Sequence, residues 1–260
     1  MITAGIDAGS RTIKVVLFDT DQSQILSSSI ADQGVAQERL ASEVFERALA
    51  AARLERGQVS VIVATGYGRN AVRFADTTIT EITCHARGVH YFKPDARTIV
   101  EIGGQDSKVI HLEDGGRVRD FAMNDRCAAG TGRFLEVVAA RLGVDLPTLS
   151  DLSRQSRSPA IICSTCVVFA ETEIIGLLAE GASAPDIAAG VQKSIATRLI
   201  SLAGRPVTGP VYFTGGVALQ AGMLRALEEA LASPVQAAPM PQFTGALGAA
   251  ILAARASTQS

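Results

Sequence analysis

Asp7-Ala8-Gly9-Ser10-Arg11-Thr12-Ile13-Lys14 and Glu101-Ile102-Gly103-Gly104-Gln105-Asp106-Ser107-Lys108 share an acid, a glycine and a lysine at offsets of zero, two and seven, displaced from 7 to 101, that is by 94 residues. The first copy is entered through Gly5-Ile6 and left through Val15-Val16-Leu17-Phe18; the second is left through Val109-Ile110. Apolar flanks around a glycine predict strand, tight turn, strand, twice over. Matching context on both sides of each copy marks an internal duplication, so the chain reads as two related halves. The polar, proline-interrupted Lys93-Pro94-Asp95 is the seam between them. It sets a first domain over 1–94 and a second over 95–260, with a C-terminal helix over 245–256 expected to pack back on the first.

The remaining segments alternate as an α/β fold requires. A helical apolar spacing runs over 36–54, and a buried strand over 59–64 ends at Thr65-Gly66-Tyr67-Gly68. In the second half, helices are predicted over 134–142, 167–178, 187–202, 223–231 and 245–254. The strand Val211-Tyr212-Phe213 stops at Thr214-Gly215-Gly216. The tail Ser257-Thr258-Gln259-Ser260 is expected to fray.

With 260 residues, 47% of them hydrophobic, the chain can bury a substantial core. Its 24 basic and 26 acidic residues nearly balance and form no Lys/Arg block, which argues against nucleic-acid or membrane-surface partners. No apolar run approaches the roughly 18–20 residues of a membrane span, and Met1-Ile2-Thr3-Ala4-Gly5-Ile6 lacks the regions of a signal peptide. A cytoplasmic location is expected. There Cys84, Cys127, Cys163 and Cys166 are better read as buried thiols, reactive groups or metal ligands than as structural disulfides.

A phosphate needs inward-pointing backbone N–H groups with no side chain in the way, and glycine permits both the turn and the approach. Gly9 and Gly103-Gly104 meet that need, with Ser10, Thr12 and Ser107 as hydroxyl donors and Lys14 as a point charge. Thr214-Gly215-Gly216-Val217, between a strand and a helix, suits nucleoside contact. ATP or ADP is therefore assigned to Gly9, Ser10, Arg11, Thr12, Ile13 and Lys14, to Gly103, Gly104 and Gln105, and to Gly215, Gly216 and Val217. Asp7, Gln105 and Asp106 are the catalytic candidates, holding Mg²⁺ and orienting the attacking water. One glycine turn is most often an ordinary hairpin; three in one chain are not. Lys14 and Lys108 also fit plain strand positions, and Lys108 is the one read as structural.

Asn124-Asp125-Arg126-Cys127-Ala128-Ala129-Gly130-Thr131-Gly132 runs into a helix, and Cys166 immediately precedes another. Free N–H groups at a helix start favour a thiolate by ~0.3–1 kcal/mol, which suits a metal-bound sulfur. A lone cysteine is most often a small buried hydrophobe. Two at helix starts point elsewhere: a cubane cluster needs four thiolates, and two from each of two identical chains would supply them on a symmetry axis. Cys163 with Cys166 fits a zinc or dithiol site as well. His85, His90 and His111 have no mutual ligand spacing and read as structural.

Through Gly5-Ile6-Asp7-Ala8-Gly9-Ser10, Ile102-Gly103-Gly104-Gln105-Asp106 and Thr214-Gly215-Gly216, the chain resembles the actin, sugar-kinase and heat-shock-chaperone ATPase superfamily. That resemblance implies two ribonuclease-H-like α/β domains with a nucleotide cleft between them. Five runs narrow it: Thr65-Gly66-Tyr67-Gly68-Arg69-Asn70, Ile102 to Asp106, Met123 to Leu135, Ser164-Thr165-Cys166-Val167-Val168-Phe169-Ala170-Glu171 and Gln242-Phe243-Thr244-Gly245-Ala246-Leu247-Gly248. Over essentially the whole chain these resemble the activator, or component A, of 2-hydroxyacyl-CoA dehydratases and the ATPase subunits of ATP-dependent benzoyl-CoA reductase. The resemblance implies a homodimer with one 4Fe-4S cluster ligated by Cys127 and Cys166 of each chain, and a further nucleotide contact at Gln242. It implies ATP hydrolysis driving one electron into an iron–sulfur acceptor enzyme, with ferredoxin or flavodoxin as reductant. The acceptor would be a 2-hydroxyacyl-CoA dehydratase, an aromatic-CoA reductase or a double-cubane-cluster protein. Glu101 stands where the family commonly has Asp, Arg126 where it has Lys, and Cys163 where it has Ser; Cys163 and Cys84 are expected to be bystanders. The alternatives are a small-molecule kinase of the same superfamily, for which the chain leaves little room for a sugar-binding insertion, and an ATP-switched chaperone, for which it lacks a peptide-binding domain.

Overall fold

The computed structural model describes residues 1–163 and 166–256, the side chains of 255 and 256 excepted. The tail 257–260, expected to fray, and Ser164-Thr165 of the second cysteine run lie outside the described residues. The chain runs β1 (Ile2–Ala8), β2 (Thr12–Asp19), β3 (Gln24–Asp32), α1 (Gln37–Ala52), β4 (Val59–Thr65), β5 (Thr77–Thr78) and α2 (Glu81–Phe92). It continues through β6 (Thr98–Ile102), β7 (Ser107–Leu112), β8 (Val118–Asn124), α3 (Gly132–Leu142), α4 (Leu146–Ser153), α5 (Val167–Ala179) and α6 (Ala184–Leu202). β9 (Val211–Thr214), α7 (Ala221–Leu231), β10 (Val235–Ala237) and α8 (Thr244–Ala256) complete it.

The strands form two five-stranded sheets, ordered β3-β2-β1-β4-β5 and β10-β9-β6-β7-β8. Read from opposite ends, the two orders coincide element for element. In each, a first strand pairs antiparallel with its hairpin partner and parallel with a later strand, β1 with β2 and β4, β6 with β7 and β9. The hairpin registers set Asp7 opposite Lys14 and Glu101 opposite Lys108. Residues directly opposed across a pair of strands share a face. The repeated acid and lysine are therefore one structural position, built twice.

Two compact units result: Met1–Ala96 with Leu112–Arg119 and the chain from Ala238 onward, and Arg97–His111 with Asp120–Ala237. In the first, β2 is buried on both faces. Ile13, Val15 and Leu17 pack with Val44, Phe45 and Ala48 of α1, while Val16 and Phe18 pack with Ala246, Leu247 and Ala250 of α8. Small residues let α8 approach closely: a Cβ on Gly88 would overlap the Thr244 carbonyl, and one on Gly248 the Cys84 carbonyl. In the second unit, Phe134 and Val138 of α3, Ile174 of α5, Val191 and Ile195 of α6, and Phe213 of β9 share one core. Among the described residues no helix is long and apolar enough to cross a membrane.

Six elements lie outside the predicted segments: β5, β8 and β10, of two, seven and three residues, and three more that escape the apolar periodicity. β3 carries Ser27-Ser28-Ser29 and is half-buried, α2 turns Cys84, His85 and Gly88 inward, and α4 is eight residues long. Two helices start earlier than their first large apolar residue because their caps lie upstream. Thr131 accepts from the Arg133 N–H at α3, and Ser183 from the Asp186 N–H at α6.

Candidate functional site

In the first unit the β1–β2 turn closes through Gly9 N–H donating to the Thr12 carbonyl at 3.1 Å. Gln33 supports it from outside, its N–H donating to the Arg11 carbonyl at 2.8 Å and its Nε2 to the Gly9 carbonyl at 3.0 Å. Asp7 is only 5% exposed, and its Oδ2 meets Lys14 Nζ at 3.3 Å. Two backbones crowd the same carboxylate. Gly66 stands at φ +87°, where a Cβ would run into Oδ1, and a Cβ on Gly245 would lie 3.1 Å from Oδ2. The carboxylate is thus closed in by the Gly66 and Gly245 backbones and by the Lys14 ammonium. Ser10 and Thr12 are half-buried and Arg11 is exposed. Ile13 lies in the core, so its contribution to a ligand is confined to its main chain. Gln242 is half-buried in the turn before α8.

In the second unit, Gly103 N–H donates to the Asp106 carbonyl at 3.0 Å, repeating the first turn. The charges differ. Lys108, 2% exposed, places Nζ 2.8 Å from Glu101 Oε2 and 2.7 Å from Asp106 Oδ2. One sealed ammonium thus holds two carboxylates, whereas Lys14 holds one and is 14% exposed. Glu101, longer than an aspartate, spends its reach on that lysine. Gln105 is exposed at the turn. Gly215, at φ +89°, packs on the end of β6 with no room for a Cβ beside the Ile102 carbonyl, and Gly216 opens a short 3-10 turn facing open space. Val217 is buried.

Cys127 is the N-cap of a 3-10 turn over Ala128–Gly130, and Cys166 is the N-cap of α5; neither side chain accepts a capping hydrogen bond. Cys127, Cys163 and Cys166 are exposed and Cys84 is buried. Burial pushes the Cys84 thiol up to about 12. The Cys163 N–H donates to Glu173 Oε1 at 2.8 Å. Helix α5 buries only Ala170 and Ile174 and exposes Val168 and Phe169 by 67% and 68% and Ile175 by 47%. Among the described residues, no three His, Cys, Asp or Glu side chains gather where they would hold a metal ion. His85 Nδ1 lies 2.9 Å from Thr244 Oγ1, and His111 faces Thr98, both as parts of the fold.

One residue escaped the sequence analysis. Asn124 brackets the Cys127 peptide, its Nδ2 donating to the Cys127 carbonyl at 2.8 Å and its Oδ1 accepting from the Cys127 N–H at 3.1 Å. The available signal was an Asn three residues before a cysteine in a glycine-rich turn, a position where Asn side chains bind local backbone.

Residues 4–253 match the model of the BadF/BadG/BcrA/BcrD ATPase family. The activator of lactoyl-CoA dehydratase from Anaerotignum propionicum is 44% identical over 97% of each chain. The structure of the activator of the 2-hydroxyisocaproyl-CoA dehydratase from Clostridium difficile with bound ADPNP aligns with a TM-score of 0.93 and 42% identity, over 100% of this chain and 96% of that one. A ROK-family glucokinase from Streptomyces griseus in complex with glucose and AMPPNP aligns at 0.58 with 16% identity, over 98% and 100%, and shares the fold alone. The fold is that of the actin-like ATPases.

Proposed function

The chain belongs to the BadF/BadG/BcrA/BcrD ATPase family, and from that premise we propose that it is an ATP-driven electron donor to an iron–sulfur partner enzyme. The observation that carries this reading is the pair of exposed cysteines, Cys127 and Cys166, each capping a helix start in the second unit. A nucleotide-dependent kinase has no use for them.

ATP takes the three glycine loops. Asp7 holds Mg²⁺ directly or through water, Lys14 offsets phosphate charge, and Gln105 beside Asp106 orients the attacking water. Gly9, Ser10, Arg11, Thr12, Ile13, Gly103, Gly104, Gly215, Gly216, Val217 and Gln242 complete the contacts. ATP and water give ADP, phosphate and a proton, so the phosphoryl group passes to water and not to a substrate. The cysteines fit a shared cluster on this chain's own features: both are exposed, Cys127 caps a 3-10 turn and Cys166 caps α5, and one chain offers two where a cubane needs four. Two copies on a symmetry axis provide the four, and the uncovered apolar side chains of α5 next to Cys166 suit the contact between them. A 4Fe-4S cluster held there supplies a one-electron carrier of low potential. Ferredoxin or flavodoxin replaces each electron that leaves, and the acceptor is a 2-hydroxyacyl-CoA dehydratase, a benzoyl-CoA-reductase-type enzyme or a double-cubane-cluster protein.

Purified without oxygen, the protein is expected to be brown with about four irons per dimer. Cys127→Ala and Cys166→Ala should abolish the colour; Cys84→Ala and Cys163→Ala should keep it. A colourless wild type that phosphorylates a sugar would refute the proposal.

A further inference from the structure

Helix α3 begins five residues after Cys127, and its first N–H groups have no partner within the helix. They find one in the second glycine turn. Gly132 N–H donates to the Gly103 carbonyl and Arg133 N–H to the Gly104 carbonyl, both at 2.9 Å. Residue 132 is glycine for this contact: a Cβ there would lie 2.9 Å from the Gly103 oxygen and 3.1 Å from Val217 Cγ2. At the other end of the same loop, the Asn124 carboxamide clamps the Cys127 peptide from both sides. Gly130 lets the backbone pass between, where a Cβ would stand 3.0 Å from Asn124 Nδ2 and 3.6 Å from Ser107 Oγ. Ser107 opens β7, directly beyond the turn.

The peptide group is planar and trans, so its C=O and N–H point in opposite directions. While the Gly103 and Gly104 carbonyls face α3, the N–H groups of Gly104 and Gln105 on the same two peptides face away from it. Those are two main-chain donors this turn can offer a phosphate. A rotation that re-aims them must swing the carbonyls off α3.

We propose that the peptides 103–104 and 104–105, the α3 N–H groups of Gly132 and Arg133, and the Asn124 clamp form one transmission element that couples the phosphate state of the second glycine turn to the position of Cys127. Gly132 and Asn124 are positioning residues in it. The inference rests on the reading of Cys127 as a cluster ligand and names what relays nucleotide state to it.

The test uses the anaerobically purified protein with its cluster, in four forms: wild type, Gly132→Ala, Asn124→Ala and Asn124→Asp. Iron release to a chelator and the low-temperature paramagnetic resonance spectrum of the reduced protein are recorded with ADP and with a non-hydrolysable ATP analogue, and nucleotide affinity is titrated separately. Wild type is expected to give different release rates and line shapes with the two nucleotides. Gly132→Ala and Asn124→Ala should keep nucleotide affinity and lose that difference. Asn124→Asp should regain part of it, since a carboxylate oxygen still accepts from the Cys127 N–H. Either alanine variant responding like wild type overturns the inference, as does a wild-type cluster indifferent to nucleotide. A wild type without any cluster overturns the functional proposal and this inference with it.

Discussion

Lys14 and Lys108 occupy the same position in two copies of one hairpin, yet their surroundings assign them different work. Lys108 is buried against Glu101 and Asp106, and removing it leaves Glu101 buried without its cation. Breaking a buried pair from one side typically costs ~3–5 kcal/mol. Lys108→Ala should therefore lower the denaturant midpoint sharply, whereas Lys14→Ala, at a partly open pair, should leave the midpoint near wild type and weaken ATP binding. Equal midpoints for the two variants would contradict this division. The cysteines divide as clearly. The Cys84 thiol, pushed up to about 12 by burial, is almost wholly protonated at neutral pH, and the thiolate is the reactive form. In cluster-free folded protein, iodoacetamide should label Cys127, Cys163 and Cys166 and spare Cys84 until denaturant is added. Mass spectrometry showing Cys84 labelled alongside the others in folded protein would be the opposing result.

At the scale of elements, α6 is pinned by an unusual cap. Asp186 accepts from the hydroxyls of Ser156 and Ser183 and from the N–H groups of Ser158 and Arg157. These bonds, the hydroxyls first, lower its carboxyl from the ordinary 3.8 to about 2. A carboxyl depressed in the folded state contributes stability that is fully present above its ordinary value and fades as pH falls through the folded one. The stability gap between wild type and Asp186→Ala should be full at neutral pH and shrink as pH falls from about 4 toward 2. A gap independent of pH would show that the ionised form does not hold the cap. Helices α2 and α8 meet through glycines, and a side chain at 248 would enter the Cys84 carbonyl. Overpacking typically costs ~1–3 kcal/mol, and backbone overlap puts Gly248→Val at or beyond the upper end. A melt unchanged by that substitution would contradict the packing described. The hairpins and the long apolar helices were legible because strand alternation and helical periodicity depend on side chains alone. α2 was not, since beside Ala86 and Val89 its buried residues are a cysteine, a histidine and a glycine, the last serving close approach to α8, a property of the pair. The Asn124 clamp was hidden for the same reason: its partner is a peptide, which no residue identity announces.

At the scale of the whole molecule, duplication gives two hairpins of one design, and only the second is tied to a helix that follows a cysteine. The two turns were legible as one repeated hairpin because the acid, glycine and lysine recur at fixed offsets between apolar strands. That the Gly103-Gly104 carbonyls hold α3 was unreadable, because backbone hydrogen bonds across 29 residues leave no compositional trace. The account turns on ATP hydrolysis being spent on electron delivery. The most direct measurement mixes the dithionite-reduced protein with a 2-hydroxyacyl-CoA dehydratase in the absence of oxygen and follows the absorbance of reduced and oxidised iron–sulfur centres. The account predicts electron transfer on adding ATP with Mg²⁺, with phosphate released to water, and none with ADP. Transfer to that acceptor at the same rate without nucleotide, or ATP consumed with its phosphate found on a small-molecule substrate, would contradict it.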